Sequence, residues 1–449
     1  MTALACIAKD FGMEVSGSDL GEKFVTDQVL EKKKITWKIG FKPTVIEESK
    51  PDLVVYGAAH QGENNPEVMK AKELGIAVLT QGEVLGLFFN RQLGISICGV
   101  GGKTSTAAML ATILEKADFH PSYMVGAGSV SSLAFPGRYD KKGKIFITEA
   151  DEYACSVKDK TPKFCYQKPK IIILTNLAFD HPDIYRDEGE TLEVFKNFIQ
   201  TLPKDGKLIA NGDSSLIRRL LKKVKAPVLT YGTKPEVDYL LTNYRIKDGK
   251  GYFSLKEFDQ EFCLRVPGLH NALNAAGAII AARLIGVGEK AISQGLKQFL
   301  GTKRRFEKIG QINSTLLYDD YAHHPLQLRP TLKAAKQWLP NKKIIAIFQP
   351  HTYSRTKAFL AEFAKSFDQA DQVIITDIFA SAREKDNLGI TSQDLVRAIK
   401  VNQKNVIYCP GKKEVIKYLE KQDLKDTAIF TLGAGNIFLW HKEIMRIFS

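Results

Sequence analysis

One stretch narrows the choice of fold more than any other. The apolar run Leu93 to Cys98 leads into Gly99-Val100-Gly101-Gly102, and Lys103-Thr104-Ser105 then opens the helix-like run Thr106 to Lys116. A buried strand, a glycine turn and a helix start belong to parallel α/β architecture. They are also the parts of a phosphate cradle: N–H groups at a helix N-terminus point at anionic oxygens, and glycines allow close approach. Gly99, Gly101 and Gly102 supply that freedom, with Ser105 one position into the helix. Lys103 offers a point charge to terminal phosphates, and the Thr104 hydroxyl is a ligand for Mg²⁺. The full phosphate-loop pattern wants a glycine at position 97, where this chain has Ile97, so the turn is a shortened variant. Plain turn chemistry is the alternative. The flanking strand and helix favour a nucleoside triphosphate.

A chain of 449 residues is too long for one core and implies roughly two to four domains. With 44% hydrophobic and 25% charged residues it reads as an ordinary globular protein. No apolar run approaches the ~20 residues a bilayer span needs, so no membrane insertion is expected. Met1 to Asp10 lacks a basic region followed by a long apolar core, so no secretion signal is expected. Six scattered cysteines without CxxC or Cys/His spacing fit reduced thiols and a cytoplasmic location. The net charge of +14 invites a nucleic-acid partner. The lysines are dispersed, however, in short clusters such as Lys32-Lys33-Lys34 and Arg218 to Lys225, without a basic tail. No nucleic acid is expected; positive potential also serves a nucleotide-binding enzyme.

Strand-then-helix units recur along the chain, which predicts parallel α/β domains. Three are expected: an N-terminal Rossmann-like domain over 1–90, a central P-loop ATPase-like mixed α/β domain over 91–302, and a C-terminal Rossmann-like domain over 303–449. The first opens on a helix (Ala3 to Phe11) where a doubly wound domain normally opens on a strand. Its strands are read at Glu14 to Gly17, Asp52 to Tyr56 and Ile76 to Leu79. The central segment has strands at Lys144 to Thr148, Ile171 to Thr175 and Lys207 to Ala210, a more antiparallel stretch from Val228 to Val266, and a helix from Asn271 to Leu284. The third alternates again from Ser314 to Tyr318 through Thr427 to Thr431.

Chemistry-bearing residues gather at the ends of these strands. Glu149-Ala150-Asp151-Glu152 follows Ile145-Phe146-Ile147, where a Mg²⁺–phosphate site needs hard oxygen ligands; a solvated acidic loop is the bland alternative. Thr175-Asn176 ends the next strand, with Asp180-His181-Pro182-Asp183 beyond. His181 could ligate a metal, orient a phosphate or be plain surface. Asn271 and Asn274, beside His270, either cap a helix or hydrogen-bond an adenine edge. Asp319-Asp320-Tyr321-Ala322-His323-His324-Pro325 and Gln349 to Thr356 end two strands of the third segment. Arg355 suits bidentate carboxylate or phosphate recognition. Arg304-Arg305 is either an exposed linker or a cation reaching across to phosphates.

Taken together these segments resemble the Mur ligase family, which builds the peptide stem of bacterial peptidoglycan. The carrying residues run from Val15-Ser16-Gly17-Ser18-Asp19 and Asn65-Pro66-Glu67 through the motifs above to Gln349-Pro350-His351-Thr352-Tyr353-Ser354-Arg355-Thr356. Within the family the chain is most similar to the member that joins L-alanine to UDP-N-acetylmuramate; the murein-peptide recycling member is the alternative. The resemblance implies an ATP- and Mg²⁺-dependent ligase working through an acyl phosphate. It implies that Lys103 contacts the β- and γ-phosphates, that Thr104 and Glu149 hold one Mg²⁺, and that His181 with Glu149 holds another. His270, Asn271, Asn274, Arg305 and Asp319 would bind ATP. Tyr321, His323, His324 and Arg355 would face the amino acid and intermediate, with Asn176 beside the substrate. Asp19 and Tyr56 would lie near the uridine. Lys103, Glu149, His181, His324 and Arg355 are the expected catalytic set.

The chain departs from the family in two places. Val100 and Gly101 stand where the family's phosphate turn has Thr and His, which preserves the backbone cradle and loses two side chains. The sequence also begins where the methionine of the family's Gly-x-Gly-Gly-x-Gly-Met turn would stand. A gap in the first sheet and weak UDP-sugar affinity are the expectation, and a nucleotide-binding remnant without ligase activity is the competing reading.

Overall fold

Burial on both faces turns the strands nearest the phosphate turn into near-continuous apolar runs, and the layers of the protein follow from that. The computed structural model describes residues 1–22, 24–156, 159–380, 384 and 386–448. Four short strands lie in the first unit: β1 (Ser16–Asp19), β2 (Thr36–Ile39), β3 (Leu53–Tyr56) and β4 (Ala77–Thr80). β1 pairs with β2 and β3 with β4, both in parallel, and the two pairs are separate sheets. The sheet of this unit is therefore interrupted, as expected. β1 starts and ends two residues later than the strand read from sequence, Glu14 to Gly17, because none of Ser16 to Asp19 is buried and the segment carries no apolar alternation. The helix Thr2–Phe11 ties the unit down: Leu4 and Ile7 cluster with Val84, Leu85, Phe88, Phe89 and Phe146.

Ten strands follow: β5 (Leu93–Cys98), β6 (Ser122–Met124), β7 (Gly137–Arg138), β8 (Ile145–Glu149), β9 (Ile171–Leu174), β10 (Lys207–Asn211), β11 (Val228–Gly232), β12 (Tyr239–Lys247), β13 (Lys250–Leu255) and β14 (Glu261–Leu264). They form one sheet in the order β14-β13-β12-β11-β10-β9-β5-β8-β6-β7. From β5 the chain builds to one side through β8, then returns to the other from β9 onward. The carboxyl end of β5 is thus a switch point, where open α/β sheets bind ligands. Ile95, Ile97, Ile147 and Ile173 join one core with the helices Lys103–Lys116, Leu269–Leu284 and Glu289–Gln298. Ile172, Leu174 and Leu208 point to the opposite face, against Glu188–Ile199 and Ser215–Leu221. Alternate strand residues thus feed two helical layers. The antiparallel part is shorter than Val228 to Val266 suggested: β11 is parallel to β10 and β12 to β11, and only β12 to β14 run antiparallel.

The last unit has β15 (Glu307–Ile312), β16 (Thr315–Asp320), β17 (Lys343–Phe348), β18 (Gln372–Ile375), β19 (Val406–Tyr408) and β20 (Thr427–Leu432), ordered β15-β16-β20-β17-β18-β19. All its pairings are parallel except β15 with β16. Among the described residues no helix is long and apolar enough to cross a membrane. All six cysteines are free thiols; Cys165 is exposed and the other five are buried.

Candidate active site

The turn after β5 needs its glycines. Gly99 and Gly102 have φ of +129° and +83°, a region that favours glycine. A Cβ on Gly99 would sit 2.5 Å from Thr175 Oγ1, and one on Gly102 2.3 Å from Asn274 Oδ1. The turn is clamped from the end of β9. Gly101 N–H donates to Asn176 Oδ1 at 2.9 Å, Asn176 Nδ2 donates back to the Gly101 carbonyl at 3.0 Å, and Thr175 Oγ1 reaches the same carbonyl at 2.6 Å. The helix then starts at Lys103, with no side-chain cap over its N-terminus. Its first N–H groups are left for an anion.

Acids from the end of β8 meet this helix start. Thr104 Oγ1 donates to Glu149 Oε2 at 2.9 Å, and Gly126 N–H donates to Glu149 Oε1 at 2.5 Å. Burial pushes the Glu149 carboxyl up; the Gly126 amide, Lys103, Thr104 and Arg305 pull the other way. Lys103 Nζ bonds Glu152 Oε2 at 2.6 Å. Burial works against the ammonium, but the Glu152, Asp151 and Glu149 carboxylates outweigh it and hold Lys103 protonated. Glu152 Oε1 is buried without a hydrogen-bond partner, and His181 Nε2 lies 3.5 Å from it. An orphaned buried carboxylate oxygen costs free energy unless a cation satisfies it. The oxygens of Thr104, Glu149 and Glu152 are of the hard type that Mg²⁺ takes, although among the described residues no three His, Cys, Asp or Glu side chains are grouped so as to hold a metal ion by themselves.

His181 has φ +56° and sits between two carboxylates, 3.5 Å from Glu152 and 3.7 Å from Asp180. Burial lowers its pKa, yet Asp180 and Glu152 raise it further, so it is pushed above the ordinary histidine range. Asp180 in turn joins the central and last units. Arg355, in the short helix Tyr353–Ala358 after β17, donates from Nε and Nη2 to Asp180 Oδ1 and from Nη1 to His351 Nδ1 at 3.2 Å. Burial opposes the Asp180 charge, but His181 and Arg355 hold its carboxyl well below the usual range. His351 and His324 are pushed down to about 4, chiefly by burial, and His323 falls well below its ordinary value for the same reason.

Strand alternation separates the two acids that end β16. Asp320 accepts the N–H groups of Phe306 and Ala322, both at 2.7 Å, and lines the cleft above the phosphate turn. Asp319, the one expected at the nucleotide, is fully buried on the other side, bonded to Arg304, Thr431 and near His441. Side chains one residue apart on a strand face opposite ways. His324 is likewise turned inward: Leu326 N–H donates to its Nδ1 at 3.2 Å, capping the helix Pro325–Trp338, and its ring rests edge-on against Phe359. His323 Nδ1 bonds the Tyr321 carbonyl at 2.8 Å.

The cleft gathers Gly101, Gly102, Thr104, Ser105, Asn176, His270, Asn271, Asn274 and Arg305 from the expected set. Asn274 Nδ2 donates to Asn271 Oδ1, and Asn271 Nδ2 to the Pro267 carbonyl. Arg305 spans the units: its Nη2 is 3.5 Å from Thr104 Oγ1 and its guanidinium lies over the Tyr321 ring. Asp19 and Tyr56 end β1 and β3 in the first unit. Asp19 lies 3.6 Å from His60, while burial raises Tyr56 above the ordinary tyrosine range. Sequence reading assigned no role to Glu152, Asp180, His351 or Gln327. Gln327 was findable, because Leu326, Gln327, Pro330 and Thr331 form one helical face and all line the cleft.

Comparison with known proteins fits this geometry. Residues 1–92 match the family model described as Mur ligase family, catalytic domain; residues 97–282 match Mur ligase middle domain; and residues 304–435 match Mur ligase, glutamate ligase domain. The UDP-N-acetylmuramate–L-alanine ligase of Caldanaerobacter subterraneus subsp. tengcongensis is 36% identical over 444 residues, covering 98% of this chain and 93% of that protein. The enzyme of the same name from Alkaliphilus metalliredigens is 38% identical over 450 residues, covering 98% and 93%. In fold, the crystal structure of the UDP-N-acetylmuramate-alanine ligase of Thermotoga maritima matches with a TM-score of 0.79, at 24% identity, over 99% of this chain and 96% of that one. A murein peptide ligase from Psychrobacter arcticus matches with a TM-score of 0.71, also at 24% identity, over 100% and 96%.

Proposed function

This chain belongs to the Mur ligase family, and we propose that it joins L-alanine to the carboxylate of UDP-N-acetylmuramate with ATP, in the synthesis of peptidoglycan precursors. One observation carries the reading beyond family membership. The phosphate-turn cluster of Lys103, Thr104, Glu149 and His181 adjoins the Asp180–Arg355–His351 chain of the last unit. The phosphate turn thus borders the buried Asp180–Arg355 pair and the histidines of the last unit.

In the reaction, a muramate carboxylate oxygen bonds the γ-phosphorus while the bond to the β-bridging oxygen breaks, giving an acyl phosphate and ADP. The alanine amine, having lost a proton, then attacks the acyl carbon, and inorganic phosphate leaves. Lys103 offsets charge on the phosphoryl oxygens. The uncapped start of its helix cradles the phosphates. Thr104, Glu149, Glu152 and His181 would hold Mg²⁺, which supplies charge neutralisation where a carboxylate approaches a polyphosphate. Arg305 reaches toward Thr104 from the last unit, so closing the units completes the phosphate side. Arg355, with its guanidinium plane fixed by Asp180 and His351, recognises the alanine carboxylate. Asn271, Asn274 and His270 line the nucleotide cleft. Asp19 and Tyr56 serve the uridine end. The setting is cytoplasmic, consistent with six free thiols.

The test is phosphate release from ATP with each substrate omitted in turn. Release requiring both UDP-N-acetylmuramate and L-alanine, with UDP-N-acetylmuramoyl-L-alanine as product, supports the reading. Release driven by an L-alanyl-D-glutamyl-diamino acid tripeptide, with alanine inert, assigns the chain to peptide recycling. Tight ATP binding without release under either condition makes it a non-catalytic nucleotide binder.

A further inference from the structure

Gln327 stands in the first turn of the helix Pro325–Trp338, half-buried where the central and last units meet. Both ends of its amide are used. Nε2 donates to the Val100 carbonyl at 3.1 Å, and Oε1 accepts the His323 N–H at 3.1 Å. The orientation is unambiguous, because a backbone N–H needs the oxygen and a carbonyl needs the NH₂. Val100 lies in the phosphate turn. The adjoining peptide group at Gly101 is held from the other side by Asn176 and Thr175, so the turn is gripped by the central unit through residue 101 and by the last unit through residue 100. Gly101 packs directly on this contact: a Cβ there would lie 3.5 Å from Gln327 Cγ, at ordinary van der Waals distance.

The other end of the amide fixes the backbone of the loop that carries His323. His323 Nδ1 bonds the Tyr321 carbonyl, its ring lies 5.9 Å from that of His351, and His351 accepts from Arg355. We propose that Gln327 is a positioning residue for the ligation, a single side chain through which occupancy of the phosphate turn sets the backbone of the 321–324 loop beside the acceptor amine. This rests on the ligase reading above. Only a carboxamide of this length serves: glutamate would turn an acceptor toward the Val100 carbonyl, and leucine offers neither group.

Hydrogen exchange of the full-length enzyme reads the link without any acceptor substrate. Adding a non-hydrolysable ATP analogue with Mg²⁺ slows exchange of the peptide spanning 321–327 at least about fivefold in the wild type, the low end of ordinary coupling between sites. Gln327→Leu abolishes that response while the analogue still binds. In turnover, Gln327→Leu and Gln327→Glu raise the L-alanine KM about fivefold or more and leave kcat at saturation within about threefold; a merely structural defect would lower the active fraction and leave KM unchanged. An unaltered exchange response in Gln327→Leu, no response in the wild type, or wild-type L-alanine KM in both variants overturns the proposal. A wild type that protects the segment but uses no L-alanine keeps this link and loses the ligase reading. One that ligates L-alanine without protection keeps the reading and loses the link.

Discussion

Arg355 and Asp180 meet through one carboxylate oxygen, Nε at 3.0 Å and Nη2 at 2.8 Å from Oδ1, with side chains only 4% and 5% exposed. The pair lies 175 residues apart in sequence and joins the central unit to the last. Cutting a buried pair by removing one partner strands the other charge and costs about 3–5 kcal/mol. Asp180→Ala should therefore lower the thermal midpoint by roughly 6 °C or more. The double variant Asp180→Ala/Arg355→Met should recover most of that loss and still ligate poorly. Calorimetry of the two against wild type checks this; equal midpoints for the single variant and wild type would contradict it.

Lys103 and Glu152 permit a cleaner division between folding and chemistry. Lys103→Met should reduce kcat at least about 100-fold, the scale of losing one pre-oriented charge stabiliser, and should also lower the midpoint by leaving Glu152 buried and unpaired. Adding Glu152→Gln should restore the midpoint without restoring turnover. Melting curves and steady-state rates on the same samples separate the two effects.

Thr104 and Glu149 share one hydrogen bond at the phosphate turn. If the two hold Mg²⁺ as proposed, Thr104→Val removes a hydroxyl ligand and Glu149→Gln replaces a carboxylate ligand by a neutral amide. Both should raise the Mg²⁺ concentration needed for half-maximal rate by about tenfold, the scale of losing one ligand-supporting group. Chelation should abolish wild-type turnover, and a Mg²⁺ titration unchanged in both variants would remove them from the metal site.

Acid should loosen the interface through its histidines. The folded-state pKa values of His324 and His351, pushed down to about 4 mainly by burial, lie below the ordinary ~6.5. The native state binds these protons less readily than the unfolded chain. The stability they allow is full above about pH 6.5 and is lost as pH falls toward 4. His324→Asn keeps an N-cap and removes one titration, so its midpoint should fall less steeply between pH 6.5 and 4.5. Parallel slopes for variant and wild type would refute this.

The phosphate turn was legible because its constraints are local: glycine conformations, a flanking strand and a helix start all lie within Leu93 to Lys116. The three α/β units were legible from strand-then-helix alternation. Other features depend on which surfaces meet after folding. Period two alone predicts that Asp319 and Asp320 face opposite ways, but not which one faces the nucleotide cleft. That choice shows only in what packs on each face: Asp320 meets the Phe306 and Ala322 N–H groups beside the cleft, and Asp319 meets Arg304, Thr431 and His441. His324 reads like a catalytic histidine by type and lies inward because the helix after it needs a cap. Asp180 pairs with a residue in another unit, and no spacing rule connects them. Glu152 was visible as an acid but not as the partner of Lys103, since that contact depends on how β5 and β8 are aligned.

Cys98 closes β5 directly beneath the phosphate turn, fully buried, its carbonyl taken by Thr175 and its thiol pushed up by burial. A thiolate-seeking reagent such as a maleimide therefore meets Cys165 first, the exposed sulfur. With Cys165 blocked, the rate at which Cys98 is alkylated becomes a clock for β5 parting from β9. A bound triphosphate, by holding the turn shut, should slow that clock.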